Sequence, residues 1–416
     1  MRLQTEAPNA IGLEKALNVI GKHIGRLAPL KIPLQEGLGK VLAADVSARV
    51  DSPSVAASLK DGFAVISSDL ERTSEKQPTK LVLTGTSAAG SPPCLAVSPG
   101  QTVRVLTGAP IPMGADAVVA EEDTSRSQGR ILINQHVLPG SNVMARGCDI
   151  KASQVVAASG CWITPAILGL LAAAGISQIE VVRPPVIAVV ATGDELVAPG
   201  DKLSIGELYA SNMVMLDGWC RQLGFPTKNV IVGDDRNDLA ETLRRVVDSA
   251  DAIITSGGAW TGDRDQVAAA LEDMGWEPMF STVRMRPGKG TGFGLLGNKP
   301  VFMLPGGPSA NLTAFLQIAL PGLLKMAGLL QKGLPEISVQ LKSDVKSRHI
   351  GWTRFVFGTI DSHTASNTFH PLVTGSRLYT MAKAEAMMAI PEGQRHIPAG
   401  TWITAQVIAP FGAMQR

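Results

Sequence analysis

The sequence has almost no excess charge of either sign. Its 38 Lys and Arg are set against 36 Asp and Glu, a formal net of +2, and no long basic run occurs. This argues against nucleic acid as a partner, so any anion has to be gripped locally by a few side chains and backbone N–H groups. Cysteine is scarce: Cys94, Cys148, Cys161 and Cys220 lie far apart without a C-x-x-C pair. That speaks against a zinc site or a disulfide framework and leaves buried thiols in a reducing cytosol as the expectation. The 6 histidines are scattered too, so no histidine-based metal site is read. The first residues, MRLQTEAPNAIGLEKAL, lack the apolar core of a signal peptide, and a cytoplasmic protein is expected. Two uncharged stretches, 155–176 and 300–324, are long enough to cross a bilayer. Ser159-Gly160 and Thr164-Pro165 interrupt the first and Pro305-Gly306-Gly307-Pro308 the second, so both read as buried segments and no membrane is expected.

What is abundant is apolar and turn-forming: hydrophobic residues are 45% of 416 positions, with 43 Gly and 27 Pro against 4% aromatics. That length exceeds one hydrophobic core and predicts several domains built of short elements and tight turns. Apolar spacing predicts an amphipathic helix over 13–26. From about 47 to 146, short apolar runs between turn signals predict an all-β module. Thr164 as N-cap and Pro165 at N1 predict a short helix over 166–174, stopped at Gly175. After Pro184-Pro185 strands and helices alternate: VIAVVATG, a helix near Ser211, KNVIVG, a helix over 238–247, DAIITSGG, and a helix over 265–275. That rhythm predicts a doubly wound parallel sheet covered on both faces, closed by an apolar helix over 311–326. From about 335 the text returns to strands, predicting a terminal small β-barrel or sandwich.

Three loops leave the C-terminal ends of the predicted parallel strands, where such sheets bind ligands. Glu195, Asp234 and Asp265 each follow one of those ends. Converging carboxylates repel unless a cation neutralises them, which points to Mg²⁺ beside phosphates; as single residues, Asp234 or Asp265 are explained as well by helix capping. Ser256, Gly257 and Gly258 place small residues and N–H groups before a helix, a cradle for phosphate or simply a turn. Arg284, Arg286 and Lys289 around Pro287-Gly288 suit an oxyanion, with a solvated charged face as the plain alternative. Pro305 belongs to a second anion seat, 304–309, which capping by Ser309 explains equally. On their own terms, Asp61-Gly62 and Pro110-Ile111-Pro112 read as turns.

Together these segments resemble one family. S-x-x-D-G-F-A (58–64), T-G-A-P-I-P-x-G-A-D (107–116), R-G-x-D-I (146–150), A-T-G-D-E-L (191–196), S-N (211–212), S-G-G-x-x-x-G-x-x-D (256–265), P-G-K (287–289), L-P-G-x-P (304–308), S-R-L-x-x-M-A-x-A (376–384) and P-E-G (391–393) occur in order. The set resembles the molybdopterin molybdenumtransferases, bacterial enzymes similar to the gephyrin E-domain. The resemblance implies an elongated homodimer of four domains. They are a linking domain (29–46 and 147–180), a β-rich module (47–146), a molybdopterin/nucleotide-binding α/β domain (10–28 and 181–330) and a C-terminal β-barrel (331–416). It implies hydrolysis of adenylylated molybdopterin with Mg²⁺ and insertion of molybdate into the dithiolene, releasing AMP. By motif position it implies functional roles for Asp61, Thr107, Asp149, Glu195, Asp234 and Asp265, molybdate-gripping cations at Arg286 and Lys289, and a binding role for Ser376. Asp61 and Thr107 lie outside the α/β domain, so one subunit's β-module is expected to cover its partner's site. A molybdopterin adenylyltransferase and molybdoenzymes or their chaperones are the implied partners.

The chemistry suits the residues: replacing oxide ligands by sulfurs releases water, and cleft carboxylic acids with raised pKa values can deliver the protons. Departures from the family pattern stand at Lys60, Cys148, Trp260, Gly290, Gly307 and Glu385. They motivate two alternatives, a non-catalytic carrier or regulator binding molybdopterin or its nucleotide, and a tungstate-specific insertase.

Overall fold

The computed structural model describes residues 10–257, 266–361, 367–372 and 378–408. Its central sheet follows from continuous apolar runs. In Ile187–Thr192, Ile187 and Val189 pack on one face, Ala188 and Val190 on the other, and all four are fully buried. Such a strand is satisfied only inside a sheet covered on both sides. Four strands run parallel in the spatial order Thr227–Val232, Ile187–Thr192, Ala252–Ser256, Lys299–Leu304. Leu13–His23, Ser211–Gln222 and the segment 308–326 cover one face; Arg236–Val247 and Gln266–Asp273 cover the other. The expected doubly wound parallel sheet carries an antiparallel pair at one edge, Gly292–Leu296 and Trp276–Phe280. Only Gly297 and Asn298 separate Gly292–Leu296 from Lys299–Leu304, and two residues close a hairpin but cannot make a crossover.

The apolar segment begins at Pro308 rather than Asn311 and passes through a π-helical turn, Phe315–Ala319, between Pro308–Ala314 and Leu320–Met326. Gly307 holds the N-cap position without a side-chain cap, so the expected cap at Ser309 is corrected. Pro308, with its preset φ and no N–H to satisfy, starts the helix earlier. The short helix is as read: Pro165–Ala173 opens with the Thr164 hydroxyl accepting from the Ile167 N–H at 3.3 Å and stops before Gly175 at φ +80.

Within 57–133, six strands form one sheet in the order Ala117–Ala120, Gly62–Val65, Gln101–Val105, Thr79–Ser87, Arg130–Ile133, Thr124–Ser127. Asp61 lies in the bend that precedes Gly62–Val65, and Gly62 belongs to the strand itself. Gly62 opens a strand so close to its neighbour that a Cβ would stand 2.1 Å from the Val119 carbonyl oxygen. A separate core of Ile32, Leu42, Ile150, Leu171 and Val181 joins Pro29–Pro33 and Gln178–Val182 to the short helix.

The C-terminal strands close into a barrel: Thr353–Asp361, Thr368–Pro371, Glu336–Leu341, Trp402–Val407 and Ala386–Ile390, with the last pairing back to the first. Met285–Arg286 attaches to it in parallel and sets Arg286 opposite Arg354. Among the described residues no helix is long and apolar enough to cross a membrane. The reading of buried thiols holds for Cys220, whose pKa burial pushes up to about 12; Cys94 and Cys148 are exposed.

Candidate functional site

The parallel strands end level, because Thr192 is in register with Val232, Ala191 with Ser256, and Ser256 with Leu304. Glu195 and Asp234 thus leave neighbouring strands on one edge. Asp194 ties the two loops together, its Oδ1 accepting from the Asp234 N–H at 2.9 Å. The Glu195 carboxylate folds back over Gly193, its Oε2 2.5 Å from where a Cβ would stand. The capping role weighed for Asp234 belongs to Asp235, which accepts from the N–H groups of Asn237 and Asp238 at 2.9 and 3.1 Å. Among the described residues no three His, Cys, Asp or Glu side chains gather as metal ligands. Mg²⁺ is commonly held by one or two carboxylates completed by substrate phosphates, and the hard oxygen pair of Glu195 and Asp234 fits that demand. Asp265 and Gly258 lie outside the described residues, as does Ser376.

The cradle at 256–257 is tighter than expected. The Gly257 N–H donates to the Leu304 carbonyl at 3.2 Å, so it is spent within the sheet. Buried Asn311 donates through Nδ2 to Ser256 Oγ and to the Pro305 carbonyl, both at 3.0 Å, while Asn212 Nδ2 reaches the Gly306 carbonyl at 2.7 Å. These amides lock three strand-end turns together. Thr192 Oγ1, Thr255 Oγ1, Asn212 Oδ1 and Asn311 Oδ1 are buried with no hydrogen-bond partner among the described residues. Each such group costs about 1–3 kcal/mol unless something pairs it.

Beside that edge, against the barrel, lies a cleft of about 1160 Å³. Arg286, Lys289, Lys346, Arg348 and Arg354 line it, with His349, Trp352 and Pro305, and no Asp or Glu is among its lining residues. Arg286 and Arg354 sit directly across the parallel pair. Like charges so placed are destabilising, which makes sense where an anion joins them. Burial first, then the neighbouring Arg286 and Arg348, pushes the His349 imidazole below its ordinary range, so an anion entering here raises it again. Arg284 does not share this cleft: it pairs with Glu392 at 3.0 Å and lines a smaller one. Of the two or three cations expected there, Arg286 and Lys289 share the cleft, the Arg284 charge being answered by a carboxylate.

Asp61 and Thr107 meet in the β-rich sheet. Asp61 Oδ1 accepts from the Thr107 N–H at 2.7 Å and from Thr107 Oγ1 at 2.8 Å. These bonds, with Arg104 nearby, hold the Asp61 carboxyl below its ordinary value of 3.8. The hydrogen bonds favour its charged form. Its contribution to stability is present above the ordinary value and is lost as pH falls through the lowered one. Thr107→Val, which removes the hydroxyl but not the backbone donor, is expected to move the Asp61 titration partway back up. A carboxyl-resolved NMR titration reads this, and an unmoved midpoint contradicts it. Asp149 is exposed, its N–H donating to the Ser52 carbonyl at 3.1 Å. No hydrogen bond or ion pair among the described residues joins Asp61, Thr107 or Asp149 to the central edge.

The structure thus sets Glu195 and Asp234 on neighbouring loops of one edge and brings together Arg286 with Lys289 and Pro305, and Asp61 with Thr107. Sequence reasoning missed Lys346, Arg348, His349, Trp352 and Arg354, although four of the nine positions from 346 to 354 are basic or histidine and one is Trp. It also missed Asn212 and Asn311 as the amides that fix the turns.

Comparison with known proteins agrees with this geometry. The family described as the MoeA N-terminal region (domain I and II) matches residues 11–175, and the one described as a probable molybdopterin binding domain matches residues 188–325. Molybdopterin molybdenumtransferase 2 of Mycobacterium tuberculosis is 32% identical over 391 residues, 92% of this chain and 96% of its own. Molybdopterin molybdenumtransferase of Staphylococcus epidermidis is 30% identical over 401 residues, 96% of each. The crystal structure of the molybdopterin biosynthesis moeA protein from Pyrococcus horikosii superposes with a TM-score of 0.82 at 30% identity, covering 97% of this chain and 100% of that one. With motif order, sheet topology and full-length identity in agreement, the chain belongs to the molybdopterin molybdenumtransferase family.

Proposed function

We propose that the protein inserts molybdate into adenylylated molybdopterin and releases AMP. The observation that carries this reading is the cationic cleft, lined by no Asp or Glu among the described residues, beside an edge of acidic loops. The two features divide the substrates between them. From the strand of Asp234 to that of Pro305 is three strand spacings, roughly 14 Å, a span suited to a molecule with its diphosphate at one end and its dithiolene near the other. Arg286 and Lys289 hold the oxyanion by charge-assisted hydrogen bonds. Glu195 and Asp234 hold Mg²⁺, with Asp265 as a further donor read from the sequence. When bound, the ion neutralises the phosphate oxygens. Asp234 also orients the water that attacks the adenylate phosphorus, and Asp194 fixes the Asp234 backbone from behind. Carboxyl groups at the edge carry protons to departing oxide.

A homodimer is part of this proposal: a second copy laying its Asp61–Thr107 pair and Asp149 over the edge supplies groups that one chain holds elsewhere. A cytoplasmic setting fits substrates made by an adenylyltransferase and a product passed to molybdoenzymes or their chaperones. The experiment is direct: incubation with adenylylated molybdopterin, Mg²⁺ and molybdate is expected to yield AMP and active cofactor, and neither product appearing retires the enzyme. Within it, Lys289→Ala is expected to weaken molybdate binding about tenfold, as for one lost charged hydrogen bond, while leaving AMP release largely intact. Unchanged molybdate affinity counts against the assignment.

A further inference from the structure

Two cations that share a cleft repel, and proteins usually settle this with a carboxylate between them. Among the described residues neither Arg286 nor Lys289 pairs with one. Both instead face a single ring. The Arg286 Cζ lies 5.2 Å from the Trp352 centroid and the Lys289 Nζ 5.7 Å from it. Arg286 Nε is buried without a hydrogen-bond partner, so no bond at that atom fixes the guanidinium. Trp352 is itself immobilised: it is 8% exposed, and the next residue donates its N–H to the Arg284 carbonyl at 3.0 Å, pinning the barrel strand to the loop that carries both cations.

An indole face attracts a cation through its quadrupole, most strongly of the aromatic side chains, and brings no formal negative charge. A carboxylate at the same place would hold the cations more tightly but would cancel their charge and repel an incoming dianion. We propose that Trp352 is a positioning residue whose ring holds Arg286 and Lys289 ready for a compact tetrahedral dianion without neutralising them. This rests on the reading of the cleft as the oxyanion seat.

The test is calorimetric titration of the full chain with sodium molybdate, using wild type, Trp352→Phe, Trp352→Leu, and each of these with Lys289→Ala, alongside thermal unfolding. Trp352→Leu is expected to weaken binding about tenfold and Trp352→Phe about threefold, following the ranking of ring faces. In the Lys289→Ala background the loss from Trp352→Leu is expected to shrink to about threefold, because one of the two cations the ring holds is gone. Equal affinity in wild type and Trp352→Leu overturns the proposal, as does an undiminished tenfold loss without Lys289, which would mean simple packing. If Trp352→Leu does not fold, Trp352→Phe decides: a threefold loss upholds the role and no loss rejects it. A wild type that does not bind molybdate removes the oxyanion reading itself and the proposal with it.

Discussion

Asp234→Ala is expected to slow adenylate hydrolysis by at least ~10²-fold, the low end for losing a positioned acid, base or metal-holding group. The reasoning is positional. Asp234 stands two residues beyond Thr227–Val232, with its own N–H held by Asp194 Oδ1 at 2.9 Å. Its side chain is not the cap of Arg236–Val247, because Asp235 has that task. Removing the Asp234 carboxylate therefore leaves the helix start intact. The neighbouring change is the control. Asp235→Ala gives up two cap hydrogen bonds and is expected to cost about 1 kcal/mol of stability with little change in turnover. Timed AMP release and thermal unfolding of both variants separate the two roles. Wild-type turnover in Asp234→Ala would remove this residue from the chemistry, whatever its effect on stability. Asp265→Ala carries the same expected loss from sequence reasoning alone.

Gly257→Ala is expected to be the most damaging single-methyl change at the site. Gly257 adopts φ +113, a region L side chains rarely enter. An added Cβ would stand 2.4 Å from the Thr192 carbonyl oxygen and 2.7 Å from its Oγ1. The nearest obstacle is backbone of the adjacent strand, so no rotamer change relieves it. Backbone strain and overpacking each cost about 1–3 kcal/mol, and a combined loss of about 3 kcal/mol is expected. Spreading these strand ends also displaces Ser256 from Asn311 and loosens the Pro305 turn, so substrate affinity falls along with the melting temperature. The measurements are thermal unfolding and nucleotide binding on the same preparation. A variant with native stability would show that position 257 tolerates a side chain and is not a close-approach cradle.

Much of the architecture was legible because its causes are local. Thr164-Pro165 sets a helix start by one hydroxyl and one fixed φ, and Gly175 ends it by a positive φ. The burial of 187–190 on both faces follows from the unbroken apolar run itself. The antiparallel edge was missed because Gly297-Asn298 looks like any other turn until the strands beside it are known. Asp61-Gly62 reads as a turn in one dimension because only the neighbouring Val119 shows why glycine is required there.

The sequence alone determined the family, the doubly wound core and the acidic loops at its strand ends, since spacing along the chain is sufficient for periodicity, caps and motif order. Only the tertiary structure decided which charges act together. Arg284 and Arg286 are two residues apart, yet one is neutralised by Glu392 while the other faces Arg354, Lys289 and the Trp352 ring. Residues two apart in a strand would share a face, but Arg284 precedes the strand Met285–Arg286 and turns to Glu392 instead; which charge meets a carboxylate is set by a barrel whose strands lie dozens of residues further along. Electrostatic interaction depends on distance through space and on what screens it, and neither is written in the order of the residues.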